Sequence, residues 1–341
     1  MRVMVTGHKG YVGSVLLPLL HHAGHATVGV DADFFRECSF SDLTPAHREV
    51  RKDIRDLSVE DFEGIDAVIH LAALSNDPLG EIDADLTHAI NTRATVDLAH
   101  HAKAAGVGRF VFSSSCSSYG ASDDGWLTET SPLNPLTPYA VSKVRAEEEL
   151  DTLADDGFSP VFLRSGTAYG LSPRLRADLV ANNLTAYAVA TGEILMKSDG
   201  TAWRPLVHVE DMGRAFLAAL SAPRETIHRE VFNVGRNSDC MQIRDLAGII
   251  GTVLPEARIE FAAGKTADNR TYRVDCGKIA DIGFLPQRNL PEAVSAMAEA
   301  FGQARLTEDE FEGPRYVRLS TIKDLIARGQ FDAGLREIVA A

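Results

Sequence analysis

The sequence predicts an α/β fold: a doubly wound parallel sheet with a smaller, mixed α/β domain. Short apolar runs at 3–6, 27–30, 67–71, 109–112 and 161–163 alternate with longer stretches such as 11–22 and 91–105, whose apolar residues recur every three to four positions. Alternating strand and helix patterns place helices on both faces of a parallel sheet. A glycine-rich turn follows the first run at once. Beyond about residue 165 the regularity fades, with Gly and Pro punctuation at 170–173 and Gly192.

The 341 residues correspond to about two domains and leave ample length for a buried core. The pattern divides them into a first domain of 1–165 plus about 206–235, and a second of 166–205 plus 236–341. The formal charge of −14 disfavours nucleic acid and anionic membranes, which both bind through surplus cations. With 45% hydrophobic and 24% charged residues the composition is that of an ordinary soluble protein. No run approaches the roughly 18 apolar residues of a membrane span, and Met1-Arg2-Val3-Met4-Val5 reaches the glycine turn too early for a secretory signal. Cys38, Cys116, Cys240 and Cys276 lack the paired spacing of a disulfide framework or zinc ribbon. A reduced, cytoplasmic enzyme without a metal is expected.

The strand ends carry the argument, because ligands of such sheets bind beyond the carboxyl ends of the strands. Val3-Met4-Val5-Thr6 leads into Gly7, Gly10, Tyr11, Val12 and Gly13, followed by an amphipathic helix. Glycines here let the backbone approach a pyrophosphate whose charge meets the helix N-terminus. The spacing is GxxGxxG, and an ordinary tight turn would share it. The second strand ends at Asp31. A carboxylate there accepts both ribose hydroxyls of an adenosine and repels a 2′-phosphate, which favours NAD over NADP. Asp33 is an alternative acceptor, and Arg36 leaves room for NADP. Asp53 and Ile54, where a third strand should end, are candidates to meet the adenine; for Asp53 a helix cap is the alternative. The fourth strand ends in His70-Leu71-Ala72-Ala73, with His70 structural and the small residues close to the cofactor. Ser75, Asn76 and Asp77 follow, as substrate contacts or as an exposed turn before Pro78.

The fifth strand ends in a serine-rich run that includes Ser113, Ser115 and Ser117. Downstream, Tyr139 and Lys143 stand four apart in a helical pattern and so share a face. An ammonium beside a phenol favours the phenolate, as does the positive charge of an oxidised nicotinamide. With Ser115 hydrogen-bonding the same substrate oxygen, this set suits alcohol/ketone interconversion.

Taken together, Gly7/Gly10/Gly13, Asp31, Asp53-Ile54, His70-Leu71-Ala72-Ala73, Ser115, Tyr119-Gly120 and Tyr139/Lys143 give a sequence that resembles the extended short-chain dehydrogenase/reductase family. The resembling branch contains nucleotide-sugar epimerases and dehydratases and implies a Rossmann domain, bound NAD and a nucleotide-sugar substrate. Leu163-Arg164 through Tyr169-Gly170 is similar to the family's LRxxNxYG segment, with Thr167 where Asn is common. The segment from Gly200 to Asp211 is similar to its GxxxRxxxHVxD segment. The resemblance implies that Arg204 grips the substrate diphosphate, as a guanidinium fork suits phosphate oxygens. His208 and Asp211 read as structural. Asn183 and Arg273, with Arg174, Asn182 and Arg270, are further candidates for the nucleotide.

The resemblance leaves the reaction to the residues. Sugar dehydratases of the family carry an Asp-Glu pair just after the catalytic hydroxyl residue; here Cys116 and Ser117 stand there. Cys116 reads as a packed residue. What remains is an NAD-dependent epimerase that transiently oxidises a sugar hydroxyl, at C4 in most relatives. The alternatives are a nucleotide-keto-sugar reductase, a dehydratase, or a non-catalytic dinucleotide-binding scaffold or sensor. The family also implies a homodimer, for which the helices at 91–105 and 139–153 are candidates; packing of their apolar positions into the subunit's own core is the alternative.

Overall fold

The computed structural model describes residues 1–80, 82–122, 125–266 and 271–338. In chain order its strands are β1 (Arg2–Thr6), β2 (Ala26–Asp31), β3 (Arg48–Arg51), β4 (Ala67–His70), β5 (Arg109–Ser115), β6 (Trp126–Leu127), β7 (Ser159–Ser165), β8 (Thr167–Tyr169), β9 (Glu193–Ser198), β10 (Trp203–His208), β11 (Val231–Val234), β12 (Cys240–Gln242), β13 (Arg258–Thr266) and β14 (Arg273–Val274).

Seven of these form one parallel sheet in the order β11-β7-β5-β4-β1-β2-β3. The chain winds outward from β1 through β2 and β3, then crosses back to β4 and runs the other way. The order reverses between β1 and β4, which opens a crevice at their carboxyl ends. Strand alternation explains both faces. Met4 joins Val28, Val68 and Phe110 in one core cluster, whereas Val3 and Val5 join Leu16, Ile69 and Val161 in the other. The helices Ala94–Ala104 and Pro138–Thr152 supply Leu98, Ala102, Ala146 and Leu150 to the first cluster. Gly13–His22 and Val209–Ser221 cover the second with Leu16, Leu20, Phe216 and Leu220.

A smaller region gathers around Tyr169, Leu184, Met196, Leu246, Met297 and Phe301. Its strands are β8-β10-β12 and the parallel pair β9-β13. That pairing joins segments about 60 residues apart and is invisible to local periodicity. One sequence boundary differs from the structure. The sequence pattern places the tail in the second domain with 236–341, yet Ile322, Leu325, Phe331 and Leu335 pack into the first core beside Val28 and Ile54. Amphipathicity tells a helix to bury a face but not against which partner.

Candidate active site

A cleft of about 870 Å³ runs along the β1/β4 crevice and into the smaller region. At one end lies the glycine turn. Gly7 has φ +73°, and a Cβ on it would come within 2.8 Å of the Ala72 nitrogen; one on Gly13 would meet the Gly7 oxygen at 2.4 Å. At Gly10 a Cβ would meet only the Gly7 oxygen, at 3.1 Å. Gly7 and Gly13 therefore pack the turn, and Gly10 keeps its outer side open. The helix Gly13–His22 begins without a side-chain cap, and Gly10, Tyr11, Val12 and Gly13 all line the cleft. A helix start so presented is a fitting cradle for an anionic diphosphate.

Asp31 ends β2 at the cleft wall, its carboxylate accepting the Lys9 and Asp33 backbone N–H groups at 3.0 and 2.8 Å. Burial pushes its carboxyl up, only partly opposed by these N–H groups. Asp33 turns elsewhere, to the Lys9 ammonium at 3.2 Å and to Arg174 at 3.4 Å. Arg36 faces Glu337 at 3.6 Å. Asp53 and Ile54 line the cleft, but the Asp53 carboxylate caps the short turn Ile54–Asp56 and pairs with Arg55 at 2.6 Å. Its carboxylate thus serves a cap at the cleft wall. Leu71, Ala72 and Ala73 lie along the wall. His70 is buried between the Thr6 and Thr95 hydroxyls at 2.7 and 2.8 Å, and burial pushes it down to about 3. It is a neutral structural histidine.

The serine-rich end of β5 and the helix Pro138–Thr152 meet in the middle of the cleft. Thr137 caps that helix by accepting the Ala140 N–H at 3.2 Å, and Pro138 pre-sets its first turn. Tyr139 and Lys143 then face Ser113, Ser115 and Ser117 across the cleft. Ser115 Oγ accepts the Ser117 hydroxyl at 2.9 Å, and Lys143 Nζ donates to the Ser113 carbonyl at 2.7 Å. Burial pushes the Tyr139 phenol up to about 12, only partly opposed by Ser115, and pushes Lys143 down to about 7 against the pull of Glu147. Lys143 Nζ sits over the Phe112 ring at 4.8 Å and lies 5.8 Å from the Tyr139 ring centroid.

The substrate candidates divide. Ser75, Asn76, Ser115, Ser117, Thr167, Asn183 and Arg204 all line the cleft. Asn76 is nevertheless engaged, capping the turn Asp77–Gly80 through the Leu79 N–H at 3.0 Å and donating to Asp178 at 2.8 Å. Asn183 donates to Glu312 at 3.1 Å. Arg204, on β10, stacks 5.5 Å from the Tyr272 ring centroid. Arg273 is not brought to the cleft wall: on β14 its guanidinium lies 5.1 Å over Trp203. Asn182 braces the turn through Gly170 and Tyr11, and Arg174 is buried behind it. Arg270 lies outside the described residues. His208 caps Val209–Ser221 by accepting the Glu210 N–H, and Asp211 accepts the Gln287 and Arg288 N–H groups.

Two cleft arginines carry no local sequence signal. Arg176, on the turn after β8, holds Asp178 through two contacts at 3.0 and 2.9 Å and reaches Ser75 at 3.3 Å. Arg318 comes from the tail. Behind the reacting groups, Glu147 and Arg164 form a buried pair at 2.6 Å that ties the Tyr139 helix to β7. The regular four-residue spacing of Tyr139, Lys143 and Glu147 was a signal for that clamp; nothing local marked the two arginines.

This is the arrangement of a nicotinamide-dependent enzyme acting on an alcohol/ketone pair. The model of the NAD-dependent epimerase/dehydratase family matches residues 3–235, and the chain belongs to that family. It is 30% identical to the UDP-glucose 4-epimerase of Mycolicibacterium smegmatis, over 88% of this chain and 98% of that one. It is 25% identical to the dTDP-D-glucose 4,6-dehydratase of Mus musculus, over 87% and 88% of the two chains. The structure of MoeE5 in complex with UDP-glucose and NAD superposes with a TM-score of 0.76 at 29% identity, covering 89% of this chain and 99% of that one. No helix among the described residues is long and apolar enough to cross a membrane.

Proposed function

We propose that the protein is a nucleotide-sugar epimerase that oxidises a sugar hydroxyl, at C4, and reduces the resulting ketone from its other face, with NAD held throughout. Bound NAD supplies the hydride acceptor for the first half and the donor for the second. Tyr139 takes and returns the hydroxyl proton, Ser115 orients the same oxygen, and Lys143 holds the nicotinamide side through its contact to the Ser113 carbonyl strand end. Asp31 takes the adenosine ribose, and the turn from Gly10 to Gly13 takes the cofactor diphosphate. Arg204 takes the substrate diphosphate, with Asn183 and Thr167 beside it.

The observation that carries the choice of epimerase is the absence of a further acid–base group at the position an elimination requires. Cys116 is 1% exposed, its thiol donates to the Arg164 carbonyl at 3.1 Å, and burial pushes it well up. The carboxylates at this end are engaged: Asp77 accepts the Thr137 hydroxyl at 2.5 Å, and Asp178 holds Arg176. Asp33 and Arg36, turned away to other partners, favour NAD, which suits a recycled cofactor. The reading extends to a homodimer through Ala94–Ala104 and Pro138–Thr152, and to a cytoplasmic location.

The test is a panel of UDP- and dTDP-hexoses incubated with the NAD-loaded protein, the products resolved by NMR. One member interconverting with its C4 epimer, without net NADH, supports the reading. A 4-keto-6-deoxy product, net NADH, or no dinucleotide bound would refute it.

A further inference from the structure

The residues that complete the adenosine side of the cleft come from the tail, beyond the part of the chain matched by the family model. Val317, Arg318 and Leu319 line the cleft together with Phe34 and Phe35, which follow Asp31. Arg318 is 2% exposed, and its guanidinium lies 4.3 Å from the centre of the Phe35 ring. It donates to the carbonyls of Arg174 and Leu175 at 2.9 and 3.3 Å. No carboxylate among the described residues lies within ion-pair distance of it. Burying an unpaired guanidinium is costly, so a structural pillar alone would be better built from an apolar side chain. Here the cation fixes an aromatic ring of the cleft wall against two carbonyls behind it.

The rest of the tail is anchored where the adenosine end of the cofactor would lie. Phe331 packs edge-on to Phe34 with centroids 5.0 Å apart, and Ile322, Leu325 and Leu335 enter the sheet core. Arg55 donates to the carbonyls of Gly334 and Leu335 at 2.8 and 3.0 Å, while Arg336 reaches Asp56 at 2.5 Å and Asp53 at 3.5 Å. The tail is thus held at both ends across the edge of the sheet that carries Asp31 and Asp53.

We infer that residues 317–338 form a strap belonging to the cofactor site: Val317 and Leu319 wall the adenosine, Arg318 locks Phe35 against it, and the dinucleotide is retained between turnovers. Retention is what an epimerase needs, because its cofactor is regenerated in place, whereas a reductase must release it. The inference rests on the NAD reading above. Arg318 is a positioning residue in it, acting through Phe35.

The test measures the rate at which bound NAD exchanges with labelled NAD in the full chain, by rapid filtration. The wild type is expected to exchange more slowly than it turns over. Leu319→Ala, at a half-buried position, and Arg318→Met should each exchange about tenfold faster, the loss of one wall contact. Arg318→Lys, which keeps a cation near Phe35, should recover part of the slow rate. Met297→Ala, in the other core, lowers stability without touching the tail and should leave exchange unchanged. Should Arg318→Met fail to fold, Leu319→Ala decides. A folded Leu319→Ala exchanging at the wild-type rate overturns the strap while leaving the epimerase reading intact, as does acceleration equally by Met297→Ala. A chain that binds no dinucleotide overturns both.

Discussion

The proposed reacting centre and the proposed adenosine edge of the same cleft are built in opposite ways. The centre is local: the end of β5 brings Ser115, and one helix brings Tyr139, Lys143 and the supporting Glu147 in successive turns. The adenosine edge is assembled from three remote stretches, the loop after β2, the turn holding Arg174 and the tail holding Arg318. Groups that must keep a fixed mutual geometry sit on one rigid element. Groups that need only enclose a ligand can come from anywhere.

The largest effects are expected at the centre. Tyr139→Phe should lower turnover about 10³-fold, within the range for removing a positioned acid–base group, while the affinity for NAD by calorimetry changes little. Comparable turnover would place the proton transfer elsewhere. Arg204→Ala should raise KM for the nucleotide sugar by about 10- to 100-fold, as a charge-assisted phosphate contact is lost, with NAD affinity retained. Asp31→Ala should weaken NAD by about tenfold and narrow the preference over NADP, measured by titration with each.

Smaller effects sharpen the electrostatics. Lys143 is held at about 7 in the folded chain against 10.5 for an ordinary lysine. Between those values the unfolded chain binds the extra proton, so stability rises with pH across that window, by at most ~1.4 kcal/mol per pH unit from this group. Lys143→Met should flatten that rise in denaturant titrations from pH 7 to 10; an unchanged slope would show that the folded chain does not depress the lysine. The smallest effect belongs to Cys116→Ala, which should keep activity within about twofold because the thiol faces the Arg164 carbonyl and not the cleft. A large loss would reopen elimination chemistry.

What could be read beforehand follows the same division. Gly7, Gly10, Gly13, Asp31, Ser115, Tyr139 and Lys143 sit at strand ends or at helical spacing, so local pattern places them, and each lines the cleft. Asp53 and Asn76 were placed there too, but their side chains serve caps, and a residue that can cap a turn looks the same in sequence as one that can bind a ligand. Arg273 packs over Trp203, a partner 70 positions away in sequence. Arg176, Arg318 and the return of the tail to the first core depend on tertiary contacts across more than 100 residues, for which no periodicity exists.

The central claim is that oxidation and reduction occur at one carbon with the same bound cofactor. The most direct measurement follows a nucleotide hexose deuterated at C4 through many turnovers by NMR. The label should remain at C4 in both epimers, with none lost to water and no net NADH. Loss of deuterium to solvent, its appearance at C6, or accumulation of a ketone would contradict the account.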